Sequence, residues 1–383
     1  MIGQKGLPAK EGGIERHVEA LCLYLKKQGN DLFVYTRPHY TPKTLKDYQG
    51  IKLISLPSLR TKHLDTPTHT FLATLHLLFQ KIDIAHYHGI GPSLFLWLPR
   101  LFRPDIKVIA TFHCQDYYHQ KWGPFARLCL KLGEKIAVHF AHELIVVSKT
   151  LETYIKEKYN ILPHYIPNGI SLPAKNFSNS KESLAWWGLK PKGYILAVSR
   201  LVRHKGLHTL IQAYQQLNHP AKKLVIVGAP AFTENYEKEL KELAKGNPHI
   251  IFTGQQTGRA LALLYQNAYL FVQPSESEGL SLSLLEAISY GIPVLVSDIP
   301  ANQEVVGKKG LMFKTKSVAD LKIKLEKILT LPETLLAQKA VCLKTKVINL
   351  YAWKKIGKST QELYQKAISE KPRILLRFVP KKI

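Results

Sequence analysis

The chain of 383 residues has no Asp-x-Asp pair, only four cysteines, and little acid, with 28 Asp and Glu against 54 Lys and Arg. Each shortage excludes something. Cys22, Cys114, Cys129 and Cys342 form no CxxC pair, so neither a zinc site nor a disulfide framework is indicated, and all four are expected as buried thiols in a reducing cytoplasm. Without an Asp-x-Asp pair no metal site and no resident cofactor are expected; Glu276 and Glu278 are spaced only weakly like a metal pair. Long apolar runs are missing too. Residues 71–79 and 94–102 are short or broken by His76, Pro99 and Arg100, well below the roughly 18 residues of a membrane span. No signal-peptide pattern precedes the first motif. The formal charge of +26 calls for an anionic partner: nucleic acid, an anionic membrane or a phosphorylated substrate. Helix-turn-helix, RRM and zinc-finger patterns are all absent, which counts against a nucleic-acid binder.

What is present is alternation. The length suits two domains of ordinary size, and 45% hydrophobic residues suit a soluble globular chain. Apolar runs at 31–36, 51–56, 82–88, 108–113 and 143–148 read as strands of a first domain. Pro163, Pro167-Asn168-Gly169 and Pro173 mark a linker, giving domains 1–170 and 171–350. Loosely polar residues 174–192 open the second domain, with strands at 194–199, 224–227, 250–252, 269–272 and 294–296 and helices at 207–217, 281–290, 320–329 and 334–346. A final helix is expected within 351–370 and a basic tail at 371–383.

Strand-helix alternation of this kind builds parallel sheets, whose ligands sit beyond the carboxyl ends of the strands. Four segments reach that edge. The loop 275–281 opens a helix whose unpaired N–H groups suit phosphate or sugar oxygens. Glu278 and Glu286 flank it, eight residues and roughly 8–12 Å apart. That is too far for one shared proton and suitable for gripping two ends of an extended ligand; the alternative is a first-turn charge and a solvated helix residue. Arg200 and Lys205 are two fixed cations in a strand-to-helix loop, suited to a diphosphate or simply exposed. Gly12-Gly13 opens a helix with Ile14, Val18, Leu21 and Leu25 at helical spacing, which suits an approaching diphosphate or a tight turn. His113 ends a strand, where either packing or ligand contact accounts for it. Residues 117–142 are basic and amphipathic, with Lys121, Arg127, Lys131 and Lys135 beside Tyr117, Trp122 and Phe125. They suit an anionic lipid interface, or a solvated helix with aromatic anchors.

The runs Pro274-Ser275-Glu276-Ser277-Glu278-Gly279-Leu280, Leu285-Glu286-Ala287 and Gly291-Ile292-Pro293-Val294 closely resemble the donor-site signature of glycosyltransferase family 4. These are retaining nucleotide-sugar glycosyltransferases of the GT-B fold, an α/β class with two doubly wound Rossmann-like domains facing across a cleft. Arg200-Leu201-x-x-x-Lys205-Gly206, Gly12-Gly13-Ile14-Glu15-Arg16-His17 and Thr111-Phe112-His113 resemble further family motifs. The resemblance implies a UDP- or GDP-sugar donor and a glycan or lipid-linked acceptor. It implies Arg200 and Lys205 on the diphosphate, Gly12 and Gly13 near the phosphates, and backbone near Gly254, Gln255 and Gln256 at the base. Glu278, with Gly279, Leu280 and Ser281, would hold the donor sugar, Glu286 the ribose hydroxyls, and His113 would lie near the reacting groups. The final helix would cross back to the first domain. A peripheral position on the cytoplasmic face of the inner or plasma membrane is expected from the basic first domain and tail. A GT-B sugar phosphorylase is the lesser alternative, and Asp116 and Glu134 are the nearest carboxylates for an inverting base. One departure stands out: the family's apolar first strand is reduced to Met1 and Ile2. Its loss would orphan hydrogen bonds on two neighbouring strands and suggests a wrongly chosen start codon or a truncated chain.

Overall fold

A computed structural model describes residues 1–118, 122–172, 184–217, 222–307 and 310–370. The chain divides into two compact units, residues 1–169 with 353–383, and residues 170–352. Of the residues singled out above, Lys121, Pro173, the tail 371–383 and most of the polar stretch 174–192 lie outside the described residues.

Unit 1 contains β1 (Phe33–Thr36), β2 (Asp47–Tyr48), β3 (Ile51–Ser55), β4 (Ile84–His88), β5 (Lys107–Phe112), β6 (Glu143–Val146) and β7 (His164–Tyr165). They pair as β1-β3-β2 and as a parallel β4-β5-β6-β7 sheet. Two residues join these sheets. The Met1 amino group donates to the Phe33 carbonyl at 2.8 Å and its carbonyl accepts from Tyr35 at 3.2 Å. Ile2 donates to His86 at 2.9 Å and accepts from His88 at 2.8 Å, forming a parallel bridge to Tyr87. The orphaning expected of both neighbours is thus limited, because Met1 and Ile2 occupy the central position. With them included, the order β3-β1-(1–2)-β4-β5-β6 is the doubly wound 3-2-1-4-5-6 pattern, whose switch point lies between residues 1–2 and β4.

The helix Gly13–Lys27 covers this junction with two rows of side chains. Val18 and Cys22 pack with Val34, Ile51 and Leu53. Leu21 and Leu25 pack with Ile109 and Ile145 and with Ile356, Leu363 and Tyr364 from the last helix, Trp353–Ser369. Gly357 makes that contact close, since a Cβ there would stand 2.3 Å from the Tyr24 ring.

Unit 2 is a six-stranded parallel sheet of β8 (Tyr194–Val198), β9 (Lys223–Val227), β10 (Ile250–Gly254), β11 (Leu270–Gln273), β12 (Val294–Ser297) and β13 (Leu311–Phe313). Its order, β10-β9-β8-β11-β12-β13, is again 3-2-1-4-5-6, with the switch point between β8 and β11. These strands are short apolar runs closed by polar or Gly residues, and both β8 and β11 are almost wholly buried, as a sheet covered on two faces requires.

The expectation of four buried thiols is corrected. Cys22 is buried, Cys114 and Cys129 are half-buried, and Cys342 is exposed. Cys342 lies in the helix Glu333–Tyr351, whose buried residues are Leu336, Ala340, Val347 and Tyr351; its position falls off that row.

Glu134 is fully buried, and one carboxylate oxygen accepts from Tyr159 at 2.6 Å, Tyr154 at 2.7 Å and Lys158 at 2.8 Å. Burial pushes its pKa up, but donation from Lys158 and the two phenols outweighs this and holds it below the ordinary 4.5. A carboxyl depressed in the folded state stabilises it above the unfolded pKa, and that stabilisation is lost as pH falls through the folded pKa. Glu134→Gln is therefore expected to cost about 1–3 kcal/mol at neutral pH, with the gap to the parent closing as pH falls below 4.5. Urea unfolding across that range measures it, and a gap independent of pH would contradict the assignment.

Candidate active site

In unit 2 the two loops that leave the switch point carry the charged residues. The loop after β8 contains Ser199 and Arg200, a 3-10 turn Arg203–Lys205 and Gly206, which precedes the helix Leu207–Gln215. The loop after β11 runs from Pro274 to Ser281, the N-cap of the helix Leu282–Ser289, whose hydroxyl accepts from Leu284 N–H at 3.3 Å. The loops are tied by backbone and side chain alike. Glu276 N–H donates to the His204 carbonyl at 2.8 Å. Gly206 has φ +66°, and a Cβ on it would stand 2.0 Å from the Pro274 carbonyl oxygen. A side chain there is excluded twice over, by handedness and by space.

Lys205 Nζ donates to Glu278 Oε1 at 2.5 Å, with side-chain exposures of 15% and 9%. The same oxygen accepts from Ser275 Oγ at 2.7 Å. Behind it, Gln273 receives the Ser281 hydroxyl at 2.7 Å and donates to Asn302 at 3.0 Å, and Asn302 in turn donates to Ser297. Glu278 Oε1 is thereby held by Lys205 and Ser275. Glu276 turns instead to Lys316 at 3.2 Å and lies 3.8 Å from the His208 ring, whose pKa burial lowers from the ordinary imidazole value. The two glutamates therefore pair with different lysines, Glu278 with Lys205 and Glu276 with Lys316.

The remaining expected residues of unit 2 lie along the same edge. Arg200 is exposed, Gly279 and Leu280 are buried beside Glu278, and Glu286 is half-buried with Oε2 accepting from Tyr265 at 3.0 Å. Gly254 ends β10 with φ +69° and open space where a side chain would stand, and Gln255 beside it is exposed. Residues Gln273, Ser275, Ser297 and Asn302 were not anticipated from the sequence. Of these, only Ser275 lies within the 274–280 run that resembles the family signature.

In unit 1, Gly12 caps the helix Gly13–Lys27 with φ +89°. His113 follows β5, is 7% exposed, and has Nε2 3.3 Å from Nδ1 of His88. Burial first, then the neighbouring His17 and His86, hold its pKa well below the usual imidazole range, so His113 is neutral at pH 7. Asp116 accepts from the Cys114 thiol at 3.2 Å. Glu134 is not an available base, because its buried carboxylate is committed to Lys158, Tyr154 and Tyr159.

Both units are similar to known proteins. Residues 11–172 match the family model described as Glycosyltransferase Family 4, and residues 182–340 match Glycosyl transferases group 1. Alpha-monoglucosyldiacylglycerol synthase of Streptococcus pneumoniae is 25% identical over 78% of the chain and 70% of its own length. A sulfoquinovosyl transferase of Arabidopsis thaliana is 34% identical over 84% of the chain and 64% of its own length, and an O-antigen chain mannosyltransferase of Salmonella typhimurium is 25% identical over 62% and 64%. Among solved structures, sucrose-phosphate synthase of Thermosynechococcus elongatus superposes with TM-score 0.78 at 22% identity, covering 95% of each chain. Anabaena HepE in complex with UDP and glucose superposes with TM-score 0.78 at 18% identity, covering 95% of this chain and 98% of that one.

Two doubly wound units that superpose over 95% of the chain on such structures are the GT-B fold, and the family models over both units make the chain a glycosyltransferase. The chain belongs to glycosyltransferase family 4.

Gly206→Ala is expected to lower the unfolding free energy by at least about 1–2 kcal/mol from its left-handed backbone alone. The clash with the Pro274 carbonyl adds to this. Denaturant unfolding checks the value, and a variant as stable as the parent would show that the two loops are not packed in this way.

Proposed function

We propose that the enzyme transfers a sugar from a UDP- or GDP-sugar to a glycan or lipid-linked acceptor with retention of anomeric configuration and without a divalent metal. The observation that carries this reading is the Lys205–Glu278 pair at the β8/β11 switch point, with Arg200 on the same loop as Lys205. An ammonium has three donors; Glu278 takes one of those on Lys205, leaving directions for diphosphate oxygens. Arg200 and Lys205 would stabilise the charge that grows on the departing diphosphate, a preorganised electrostatic effect. Glu278, oriented by Ser275, would accept from donor hydroxyls. Glu286, held by Tyr265, would accept from the ribose. Gly254 and Gln255 supply backbone at an open edge for the base. In unit 1, the Gly12-Gly13 helix start would suit a phosphate and neutral His113 a sugar hydroxyl. The acceptor's proton would pass, by attack on the leaving-group face, to the departing diphosphate. The names of relatives support both acceptor classes, a diacylglycerol glycolipid synthase and O-antigen transferases.

A thermal-shift screen with UDP, GDP, ADP and their sugars identifies the donor, since a ligand bound only by the folded state raises its midpoint. With the donor known, NMR of the product's anomeric coupling tests the reading. An α-linked donor is expected to give an α linkage, and a β linkage would overturn retention and leave Asp116 as the base to pursue. Glu286→Ala should chiefly raise the donor KM, whereas Lys205→Ala should lower kcat as well, because its charge acts more strongly on the developing diphosphate than on the bound donor. Steady-state kinetics separate the two, and equal kcat loss in both variants would contradict the division of roles.

We also propose peripheral attachment to the cytoplasmic face of an anionic membrane through the helix Pro124–Phe140. Phe125, Leu128 and Leu132 form an exposed apolar row on it, and Arg127, Lys131 and Lys135 an exposed basic row beside it. No helix of the described residues is long and apolar enough to cross a membrane. Each cation near an anionic surface contributes about 1 kcal/mol, and salt weakens it. Binding to phosphatidylglycerol vesicles should fall between about 0.1 and about 0.5 M salt and fall further in Phe125→Ser/Leu128→Ser. Sedimentation measures it, and binding indifferent to salt would rule the mechanism out.

A further inference from the structure

Away from the unit 2 loops, the densest group of metal-ligating side chains among the described residues is a histidine trio in unit 1. His17 comes from the helix Gly13–Lys27, His88 ends β4 and His113 follows β5. The three are 5%, 1% and 7% exposed. One ring nitrogen of each lies within 4.8 Å of the others, and the ring centroids are 5.0 to 5.7 Å apart. His88 Nδ1 and His113 Nε2 stand 3.3 Å apart. Two nitrogens on one tetrahedral zinc, with bonds of about 2.0–2.1 Å, stand about 3.3–3.4 Å apart.

One further observation points to a ligand here: Nδ1 of His17 is buried without a hydrogen-bond partner, a cost that packing alone does not remove. His86 is not a fourth ligand, since its ring nitrogens are engaged by Tyr364 and Thr111.

We infer that His17, His88 and His113 form a three-nitrogen site for a first-row transition cation of the Zn2+ class, and that its occupation inhibits transfer by withdrawing His113. An all-imidazole set selects such ions over Mg2+ and Ca2+, which prefer oxygen. Three protein ligands leave a fourth position for water or an anionic oxygen. The cation is an inhibitor and not a cofactor, so it is compatible with metal-independent chemistry. The inhibitory half rests on the function proposed above; the binding half does not.

The test uses the full chain with CoCl2 and ZnCl2. Equilibrium dialysis and visible absorption are expected to show one Co2+ per chain with the intense ligand-field bands of a tetrahedral ion, displaced by Zn2+. His17→Gln and His88→Gln should each bind at least about tenfold more weakly, while retaining the parent's circular dichroism. His249→Gln, at an exposed position, should bind like the parent. Two variants keep the test alive if one misfolds. The absence of saturable binding, six-coordinate spectra, or parent-like binding by both variants would overturn the site. Zn2+ bound at the trio without loss of nucleoside diphosphate release would overturn the inhibitory role alone. A chain that binds Co2+ but transfers no sugar would instead defeat the proposed function, so the two failures are distinguishable.

Discussion

The ion pair between Lys205 and Glu278 is the interaction on which the unit 2 site depends. It joins the loop leaving β8 to the loop leaving β11, and it lies where the sheet's strand order reverses. A pair this little exposed offsets its desolvation best when further hydrogen bonds support the carboxylate. Ser275 supplies one such bond directly, and the Gln273–Ser281–Asn302 relay fixes the surroundings. Gly206 lets the first loop lie against the Pro274 carbonyl of the second, so the cation and the carboxylate are positioned by backbone packing as much as by attraction.

Much of this architecture was legible in the chain, because buried parallel strands are short apolar runs with abrupt polar ends. Expected and observed strands coincide to within a residue or two at 51–56, 194–199, 224–227 and 294–296. Other elements left weaker marks. β13 is three residues long, and the helix Asp65–Leu77 carries threonines and a proline among its apolar positions, which blurs its period. The helix Glu234–Leu243 is mostly charged and buries only Tyr236 and Leu240, too sparse a row to read.

The site divides along the same line. Arg200, Lys205 and Glu278 were visible because a loop motif keeps its chemistry within a few residues. Gln273 and Asn302, or His17, His88 and His113, meet only through the strand order, so no spacing in the sequence announces them. Glu134 shows the converse failure: its position in the chain suggested a base, and three donors, Lys158, Tyr154 and Tyr159, give its buried carboxylate a structural task.

The helix Trp353–Ser369 belongs to unit 1, where Ile356, Leu363 and Tyr364 complete a core shared with Leu21, Leu25 and Ile109. During synthesis this sets an order. Unit 2 is one uninterrupted segment and can consolidate as soon as residue 352 clears the ribosome. Unit 1, although made first, must wait with part of its apolar surface uncovered until the last helix emerges, so the nascent chain's exposure to aggregation and to chaperones is concentrated in the half translated earliest.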